Sequence, residues 1–159
     1  MSTEVKSYEI VQANQEHVEG IAPLFDAYRG FYGQPSNLEA SQEFLSARIS
    51  YGDTVVYVAI EGPESDPRFL GFTILYPTFH SVLATSMWVL NDIYVSETAR
   101  RRGIAKALIE TGRELALDTC AGRLSLETGL DNTNSHQLYE RLGFKREESM
   151  CTYMLDIEP

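Results

Sequence analysis

Apolar positions along the chain follow helical spacing in some segments and strand spacing in others. Apolar side chains at intervals of three and four between residues 18 and 28 predict a helix, which Asn14 can cap. A short strand, Tyr8–Gln12, precedes it. A second helix is predicted from Leu38 to Ile49, because Pro35, Ser36 and Asn37 interrupt the chain before a new apolar period begins.

The remaining segments add strands on both sides of a third helix. β-branched and aromatic runs separated by a polar turn predict a hairpin, and a further apolar run predicts a strand that leads into a periodic helix from Ile104. The predicted strands are Thr54–Ile60, Phe69–Tyr76, Met87–Val95, Leu124–Thr128 and a closing strand Cys151–Ile157, with a short helix Ser135–Leu142 before the last. This order predicts one α+β domain with a mixed sheet over residues 1–159, not a doubly wound fold.

Composition narrows the range of partners. The 159 residues include 13 Lys and Arg against 23 Asp and Glu, a net charge of −10. A non-specific nucleic-acid binder needs a large basic surface, so a nucleic-acid partner is not expected, whereas the negative field favours a cationic or neutral small substrate. No apolar run approaches 18 residues and the first residues lack a signal-like apolar stretch, so a cytoplasmic protein without a membrane partner is predicted.

Cysteine and histidine usage argues against a metal centre. Cys120 and Cys151 are the two cysteines, and the three histidines are far apart in the sequence. Neither spacing matches a zinc site or a disulfide framework, so no metal is predicted. Ordinary packing is expected for both cysteines.

A basic turn stands where a strand passes into a helix. This turn, Arg100–Lys106, combines the free amide groups of a helix start with Gly103, small Ala105 and four basic side chains, which predicts a site for an anion such as a diphosphate. The alternative is a solvated basic surface. The spacing is neither that of a P-loop nor that of a GxGxxG fingerprint.

Two motifs resemble one family. Arg100, Gly103 and Ala105 are similar to the [QR]xxGx[GA] turn of the GNAT superfamily of N-acetyltransferases, and the later segment resembles that family's NxxAxxLYExxGF signature, with Ser135 in place of alanine. The matching residues of the second motif are Asn132, Leu138, Tyr139, Glu140, Gly143 and Phe144. The resemblance implies a mixed, mostly antiparallel central sheet flanked by about four helices, an acetyl-coenzyme A co-substrate and a homodimer.

The resemblance also assigns residues to the cofactor. Backbone groups at the end of the predicted strand, at Ile93, Tyr94 and Val95, are expected to bind the pantetheine arm, and Asn132 is expected to face the cofactor. The phosphates are expected on the turn formed by Arg100, Arg101, Arg102, Gly103, Ile104, Ala105 and Lys106.

Acetyl transfer to an amine requires a proton acceptor for the amine and benefits from a proton donor for the leaving thiol. Tyr139 is the expected acid, by resemblance, and a core tyrosine is the alternative. Asp92 is the expected base because it interrupts an apolar run, where burial raises a carboxyl pKa; a water-facing acid is the alternative. Strict alternation places Asp92 on one face with Leu90 and Tyr94.

The acceptor site is expected around aromatic residues. Tyr28 and Tyr32, with Phe31 and the nearby acids Asp26, Glu39 and Glu43, form either a pocket for a cation or ordinary core packing. Glu127 and Asp131 are weaker candidates for the base or for substrate contact. The acidic turn Glu61, Glu64 and Asp66 is interpreted as a solvated loop.

Further similarity around Leu90–Val95 and Tyr28–Tyr32 points to the branch that contains spermidine/spermine, diamine and thialysine acetyltransferases, although Asn91 stands where polyamine enzymes carry a second acid. The sequence therefore predicts an acetyl-coenzyme A-dependent N-acetyltransferase acting on a small primary amine. The alternatives are an acetyltransferase for protein or peptide lysines or N-termini, and a non-catalytic acyl-coenzyme A sensor.

Overall fold

The computed structural model describes residues 7–158. Within that range five strands and four α-helices alternate along the chain in nearly the predicted order. They are β1 (Glu9–Gln12), α1 (Val18–Phe31), α2 (Leu38–Tyr51), β2 (Val55–Glu61), β3 (Arg68–His80), β4 (Thr85–Val95), α3 (Ile104–Asp118), β5 (Arg123–Leu126) and α4 (Thr133–Arg141). Contacts divide the chain into two compact units after Glu127.

The strands form one sheet in the order β1-β2-β3-β4-β5. Each neighbouring pair is antiparallel except β4 and β5, which run parallel. A mixed, mostly antiparallel sheet with four helices confirms the predicted α+β fold class. The extent of a single domain over residues 1–159 stays a prediction.

The sheet carries a core on each face. On one face Ile21 and Phe25 of α1 and Leu45 of α2 pack with Val58 and Phe72 of the sheet. On the other face the buried residues come from β2, β3, the turn before α3 and α3 itself: Ala59, Leu70, Ala99, Ile104 and Leu108. Both faces of the central strands are therefore covered by helices.

Local signals set the helix boundaries. Asn37 caps α2 by accepting a hydrogen bond from the amide of Ala40 at 3.0 Å, and Gly52 ends that helix with φ +63°. Asn14, the predicted cap of the first helix, caps a short 3₁₀ turn, Gln15–His17, and that turn leads into α1.

A β-bulge in β4 corrects the predicted alternation. Ile74 pairs with Asp92 and Leu75 pairs with Leu90, so Asn91 is an extra residue without a partner on β3. Leu90 and Leu75 lie 3.8 and 3.0 Å from where a Cβ on Gly112 of α3 would stand, whereas Tyr94 packs on the α1 face. The prediction that Leu90, Asp92 and Tyr94 share a face is therefore wrong, because the inserted residue reverses the alternation.

The closing strand predicted over Cys151–Ile157 is not formed. Residues 150–158 adopt neither helix nor strand, and Tyr153, Leu155 and Ile157 are 93%, 84% and 79% exposed. Alternating apolar residues suit a strand, but a strand also needs a hydrogen-bonding neighbour, and this segment pairs with no strand in the described part of the chain. Among residues 7–158 no helix is long and apolar enough to span a membrane.

Candidate active site

Asp92 is a buried carboxyl group at the bulge of β4. Its residue is 9% exposed, and its carboxylate accepts hydrogen bonds from the Asn91 side-chain amide at 3.0 Å and from the Tyr28 hydroxyl. Burial raises the pKa of Asp92, and these two hydrogen bonds offset only part of that rise. The expected burial and the expected direction of the pKa shift are both found.

The bulge explains how a strand delivers this carboxylate to the α1 side. Ile93 and Val95 pack with the α3 face, while Asp92 lies opposite Ile74, whose side chain belongs to the α1 face. If Leu90, Asn91 and Asp92 alternated regularly, without the bulge, Asp92 would lie on the same face as Leu90.

Aromatic rings surround Tyr28, whose hydroxyl donates to the Asp92 carboxylate. The ring of Tyr28 lies 5.1 Å from that of Tyr32 and 6.4 Å from that of Tyr94, both in edge-to-face geometry. Phe31 stacks edge-on against Tyr32 at 5.2 Å, and Phe31 and Tyr32 are 67% and 55% exposed. Tyr28 therefore joins an exposed aromatic surface to the buried acid, which is a suitable setting for an alkylammonium group.

Asp26 lies near these aromatic residues, but its carboxylate is bonded to the connection between α1 and α2 and not directed to an acceptor site. Its carboxylate accepts hydrogen bonds from the Ser36 hydroxyl at 2.6 Å and from the Asn37 amide at 2.8 Å, and it pairs with Arg29 at 3.3 Å. The Ser36 hydroxyl is the largest of the influences that lower the pKa of Asp26. This carboxylate organises the connection between α1 and α2, so its acceptor positions are already occupied.

The basic turn Arg100–Lys106 exposes the start of α3. Ala107 donates the first hydrogen bond of the helix, to the Gly103 carbonyl, and no side chain of the described residues caps the amides before it. Arg101 and Gly103 have φ values of +63° and +76°. Backbone of this kind, followed by a 15-residue helix, turns successive amides toward one point and places the positive end of the helix dipole there.

The four basic side chains of the turn differ in what they contact. Arg102 forms an ion pair with Glu61, Lys106 lies 3.8 Å from Glu110, and Arg100 donates to the Val95 carbonyl at 3.3 Å. The side chain of Arg101 is exposed and has no ion pair or hydrogen bond among residues 7–158. The four basic side chains that the sequence predicts to attract an anion therefore differ in how far contacts within the protein engage them.

The end of β4 leaves backbone groups without a strand partner on one side. The parallel pairing with β5 stops at Leu90 opposite Leu126, yet β4 continues to Val95. Ile93, Tyr94 and Val95 thus lie beyond the last pair with β5. The ring of Tyr94 is 5.9 Å from the Arg100 guanidinium, so this strand end is also in contact with the turn.

The residues after Glu127 form the second compact unit. Tyr139 is buried, 8% exposed, and its ring lies 6.1 Å from that of Phe144. Asn132 precedes α4, and its amide donates to the Thr128 hydroxyl at 3.1 Å. Glu127 is exposed and follows β5, because that strand ends at Leu126, two residues earlier than predicted.

One charged residue in contact with the basic turn escaped the sequence prediction. Glu61, interpreted as part of a solvated loop, is the last residue of β2; its side chain is 15% exposed and pairs with Arg102. The pair joins residues 41 positions apart, so no local pattern could indicate it. An open groove of about 850 Å³ between α1 and α2 is lined in part by Glu19, Glu43 and Tyr51, so it includes the candidate acid Glu43 but neither Tyr28 nor Tyr32.

The turn and the strand end fit acetyl-coenzyme A. Uncapped amides at a helix start suit a diphosphate, and the unpaired edge of β4 suits an amide-bearing arm such as pantetheine. No group of three or more His, Cys, Asp or Glu side chains arranged to hold a metal ion occurs within residues 7–158.

Comparison with known proteins gives a consistent assignment. Residues 21–144 match the Acetyltransferase (GNAT) family. The chain is 36% identical to the uncharacterized N-acetyltransferase YhfO of Bacillus subtilis (strain 168), over 93% of this chain and 97% of that protein. It is 25% identical to a thialysine N-epsilon-acetyltransferase of Caenorhabditis elegans, over 96% of this chain and 94% of that protein.

A solved structure of a probable acetyltransferase is similar in both sequence and shape. It is 40% identical, has a TM-score of 0.85, and the match covers 95% of this chain and 99% of that chain. The sequence motifs, the sheet and the uncapped turn before α3 agree with these matches. The chain therefore belongs to the acetyltransferase (GNAT) family and is an N-acetyltransferase.

Proposed function

We propose that this N-acetyltransferase transfers the acetyl group of acetyl-coenzyme A directly to the primary amine of a small cationic acceptor. The observation that carries the proposal is the Asp92 carboxyl group, buried beside the hydroxyl of Tyr28 at the inner end of an exposed aromatic surface. A carboxylate behind aromatic rings attracts an alkylammonium ion and then accepts its proton.

The reaction removes two protons from the nitrogen and supplies one to the sulfur. Loss of the first proton from the ammonium leaves a neutral amine, whose nitrogen attacks the thioester carbonyl. The new C–N bond forms, the C–S bond breaks, the nitrogen gives up its second proton as the amide forms, and the coenzyme takes a proton and leaves as a thiol. We assign acceptance of the first nitrogen proton to Asp92, whose raised pKa makes it a stronger acceptor than an ordinary aspartate, and donation to the sulfur to Tyr139, by resemblance to the family's signature; the second nitrogen proton restores the Tyr139 hydroxyl.

We assign the coenzyme to the turn and the end of β4. Amides from Arg101 to Lys106 would hold the diphosphate, the backbone of Ile93–Val95 would bind the pantetheine arm, and Asn132 would face the cofactor. Support comes from the uncapped amides and from the strand edge that extends beyond β5. Tyr28 and Tyr32 are the proposed acceptor contacts; Glu127 is a weaker candidate.

We propose that the acceptor resembles those of the diamine and thialysine acetyltransferases. The relative named as a thialysine N-epsilon-acetyltransferase supports this choice, as does the net charge of −10, which favours approach of a cation. A homodimer, which the family resemblance implies, and a cytoplasmic location, which the sequence predicts, complete the proposal.

Release of free thiol from acetyl-coenzyme A tests the proposal directly. The purified protein is given diamines, polyamines, thialysine, neutral amino acids, and short peptides with a free N-terminus or lysine. We expect release with the small cationic amines. Release with peptides alone would instead establish a peptide acetyltransferase, and coenzyme binding without release with any amine would favour an acyl-coenzyme A sensor.

Tyr139→Phe separates a catalytic phenol from a packing one. The variant keeps the ring but loses the hydroxyl, so turnover is expected to fall about 100-fold, the usual order for one general acid, while coenzyme affinity is retained. Phe144→Leu, which changes the ring next to Tyr139 and leaves the phenol, is the matched control. Unchanged turnover in Tyr139→Phe would remove this residue from the mechanism.

A further inference from the structure

A network of charged and aromatic side chains lies against the basic turn and joins it to the β2–β3 hairpin. Nη1 and Nη2 of Arg102 donate to Oε1 and Oε2 of Glu61 at 3.0 and 3.1 Å. Nη2 also donates to the Ser7 hydroxyl at 2.6 Å, and the Tyr8 ring centre is 5.9 Å from the guanidinium carbon. Arg68 approaches the same carboxylate at 3.6 Å.

These contacts engage both terminal nitrogens of the Arg102 guanidinium. A bidentate pair with a carboxylate fixes the plane and the direction of the guanidinium group, and Nη2 already has two acceptors. The neighbouring Arg101 side chain, by contrast, is exposed. The two adjacent arginines of the turn therefore differ. The Arg102 side chain contacts other residues of the protein, whereas the Arg101 side chain is available to contact a bound molecule.

The backbone on both sides of Arg102 has a left-handed conformation. Arg102 stands between Arg101 at φ +63° and Gly103 at φ +76°. The left-handed conformation is unfavourable for a residue with a side chain, so Arg101 keeps it only if neighbouring contacts hold the turn. The Glu61 pair is such a contact, because it ties the residue between the two left-handed positions to the end of β2.

We propose that Glu61 and Arg102 are positioning residues, which hold the turn in the conformation that presents its amides to the diphosphate of coenzyme A. The inference rests on the proposed coenzyme site. It makes Arg102 a support for the binding backbone and not itself a phosphate ligand, and it gives Glu61, an acidic residue, a favourable effect on the binding of an anion.

Glu61→Gln distinguishes support from direct contact. The variant removes a negative charge and releases Arg102, so a phosphate-binding Arg102 would keep or improve coenzyme affinity. A positioning pair gives the opposite result: we expect coenzyme A to bind about tenfold more weakly, an effect of the size expected for losing part of a charged hydrogen-bond pair. Arg68→Gln, at an exposed residue that contacts the same carboxylate, is the matched control and is expected to bind like the wild type.

Two further variants keep the test decisive if Glu61→Gln does not fold. Arg102→Lys retains a cation that can bind phosphate but loses the planar bidentate fork, so it is expected to weaken binding. Exchanging the two residues, Glu61→Arg with Arg102→Glu, restores the pair while placing a negative charge on the turn. Recovery of affinity in the exchanged protein, relative to Arg102→Glu alone, supports positioning.

The measurements are calorimetric binding of coenzyme A and steady-state kinetics with two acetyl donors. With acetyl-coenzyme A, Glu61→Gln is expected to raise KM about tenfold and to keep kcat. With acetyl-pantetheine, which lacks the diphosphate, kcat/KM is expected to stay at the wild-type value, which a general loss of structure would not allow.

Unchanged or tighter coenzyme binding in both Glu61→Gln and Arg102→Lys would overturn the positioning role. An equal loss with both acetyl donors would also overturn it. Failure of the wild-type protein to bind coenzyme A would instead contradict the proposed function, so the two failures are distinguishable.

Discussion

At the scale of single residues, the burial that suits Asp92 to its proposed role as a base acts against stability. Its carboxylate has two hydrogen-bond donors, Asn91 and Tyr28, but burial still raises its pKa. A carboxyl group whose pKa is higher in the folded than in the unfolded state favours folding when protonated, below the unfolded value. That contribution is lost as the pH rises through the folded-state value.

Asp92→Asn is expected to separate activity from stability. Removing the charge should lower turnover about 100-fold or more if Asp92 is the base, and should raise the unfolding temperature at pH 7, by about 2–4 °C for each kcal/mol gained. In the wild type, kcat/KM should fall as the pH drops through the raised pKa of Asp92. Thermal unfolding at several pH values and a pH–rate profile are the measurements.

Asp26→Asn supplies the control for Asp92→Asn, because hydrogen bonds lower the pKa of Asp26. Its contribution to stability is present above the unfolded pKa and is lost as the pH falls through the folded one, so this variant should be less stable at pH 7. A destabilised Asp92→Asn with full turnover would contradict the role of Asp92.

The sequence reveals residues whose partners are near in the chain better than those whose partners are distant. Asp92 was predictable as a buried acid because an acid within an apolar strand is itself a signal. Glu61 was not, since its local setting is an acidic turn and its partner Arg102 is 41 positions away. Asp26 was misjudged for a related reason: its proximity to aromatic residues was visible, but its hydrogen bonds to Ser36 and Asn37 depend on the turn between two helices.

At the scale of elements, periodicity predicted nearly all helices and strands but not the irregularity that places the candidate base. The period of 3.6 identified α1, α2 and α3, whose apolar faces pack on the sheet. The period of two gave the wrong face for side chains after Asn91. One inserted residue leaves both halves of β4 extended and changes only the face of the sheet on which the later side chains lie. The period of two failed again at residues 151–157, where alternation exists without a pairing strand.

Gly103→Val tests the turn as an element. Gly103 has φ +76°, where a β-branched residue is strained, so the change should reshape the amides before α3 and weaken coenzyme A binding at least tenfold. Gly52→Val is the matched control, because Gly52 also has a positive φ, +63°, and its added Cβ meets nothing within 4 Å. Both variants should lose about 1–2 kcal/mol of stability, and binding calorimetry should show weakened binding in Gly103→Val alone.

At the scale of the whole molecule, the net charge of −10 acts in opposite directions on the proposed cationic acceptor and on the anionic coenzyme. The field draws a cationic amine toward the protein and opposes the approach of the anionic coenzyme, for which the turn at Arg100–Lys106 supplies a local positive region. Such long-range effects are screened once the Debye length falls from about 14 Å near 0.05 M salt to about 4 Å near 0.5 M.

Salt is therefore expected to change the KM of a doubly charged amine more than the KM of a singly charged one. Between 0.05 and 0.5 M sodium chloride, KM for a diamine acceptor should rise several-fold, because screening removes the attraction of the acidic surface. KM for a monoamine, which carries one positive charge, should rise less. Initial rates at saturating acetyl-coenzyme A measure both. An identical salt response for the two amines would show that the acidic field does not select the acceptor, and would leave recognition to the surface around Tyr28 and Tyr32.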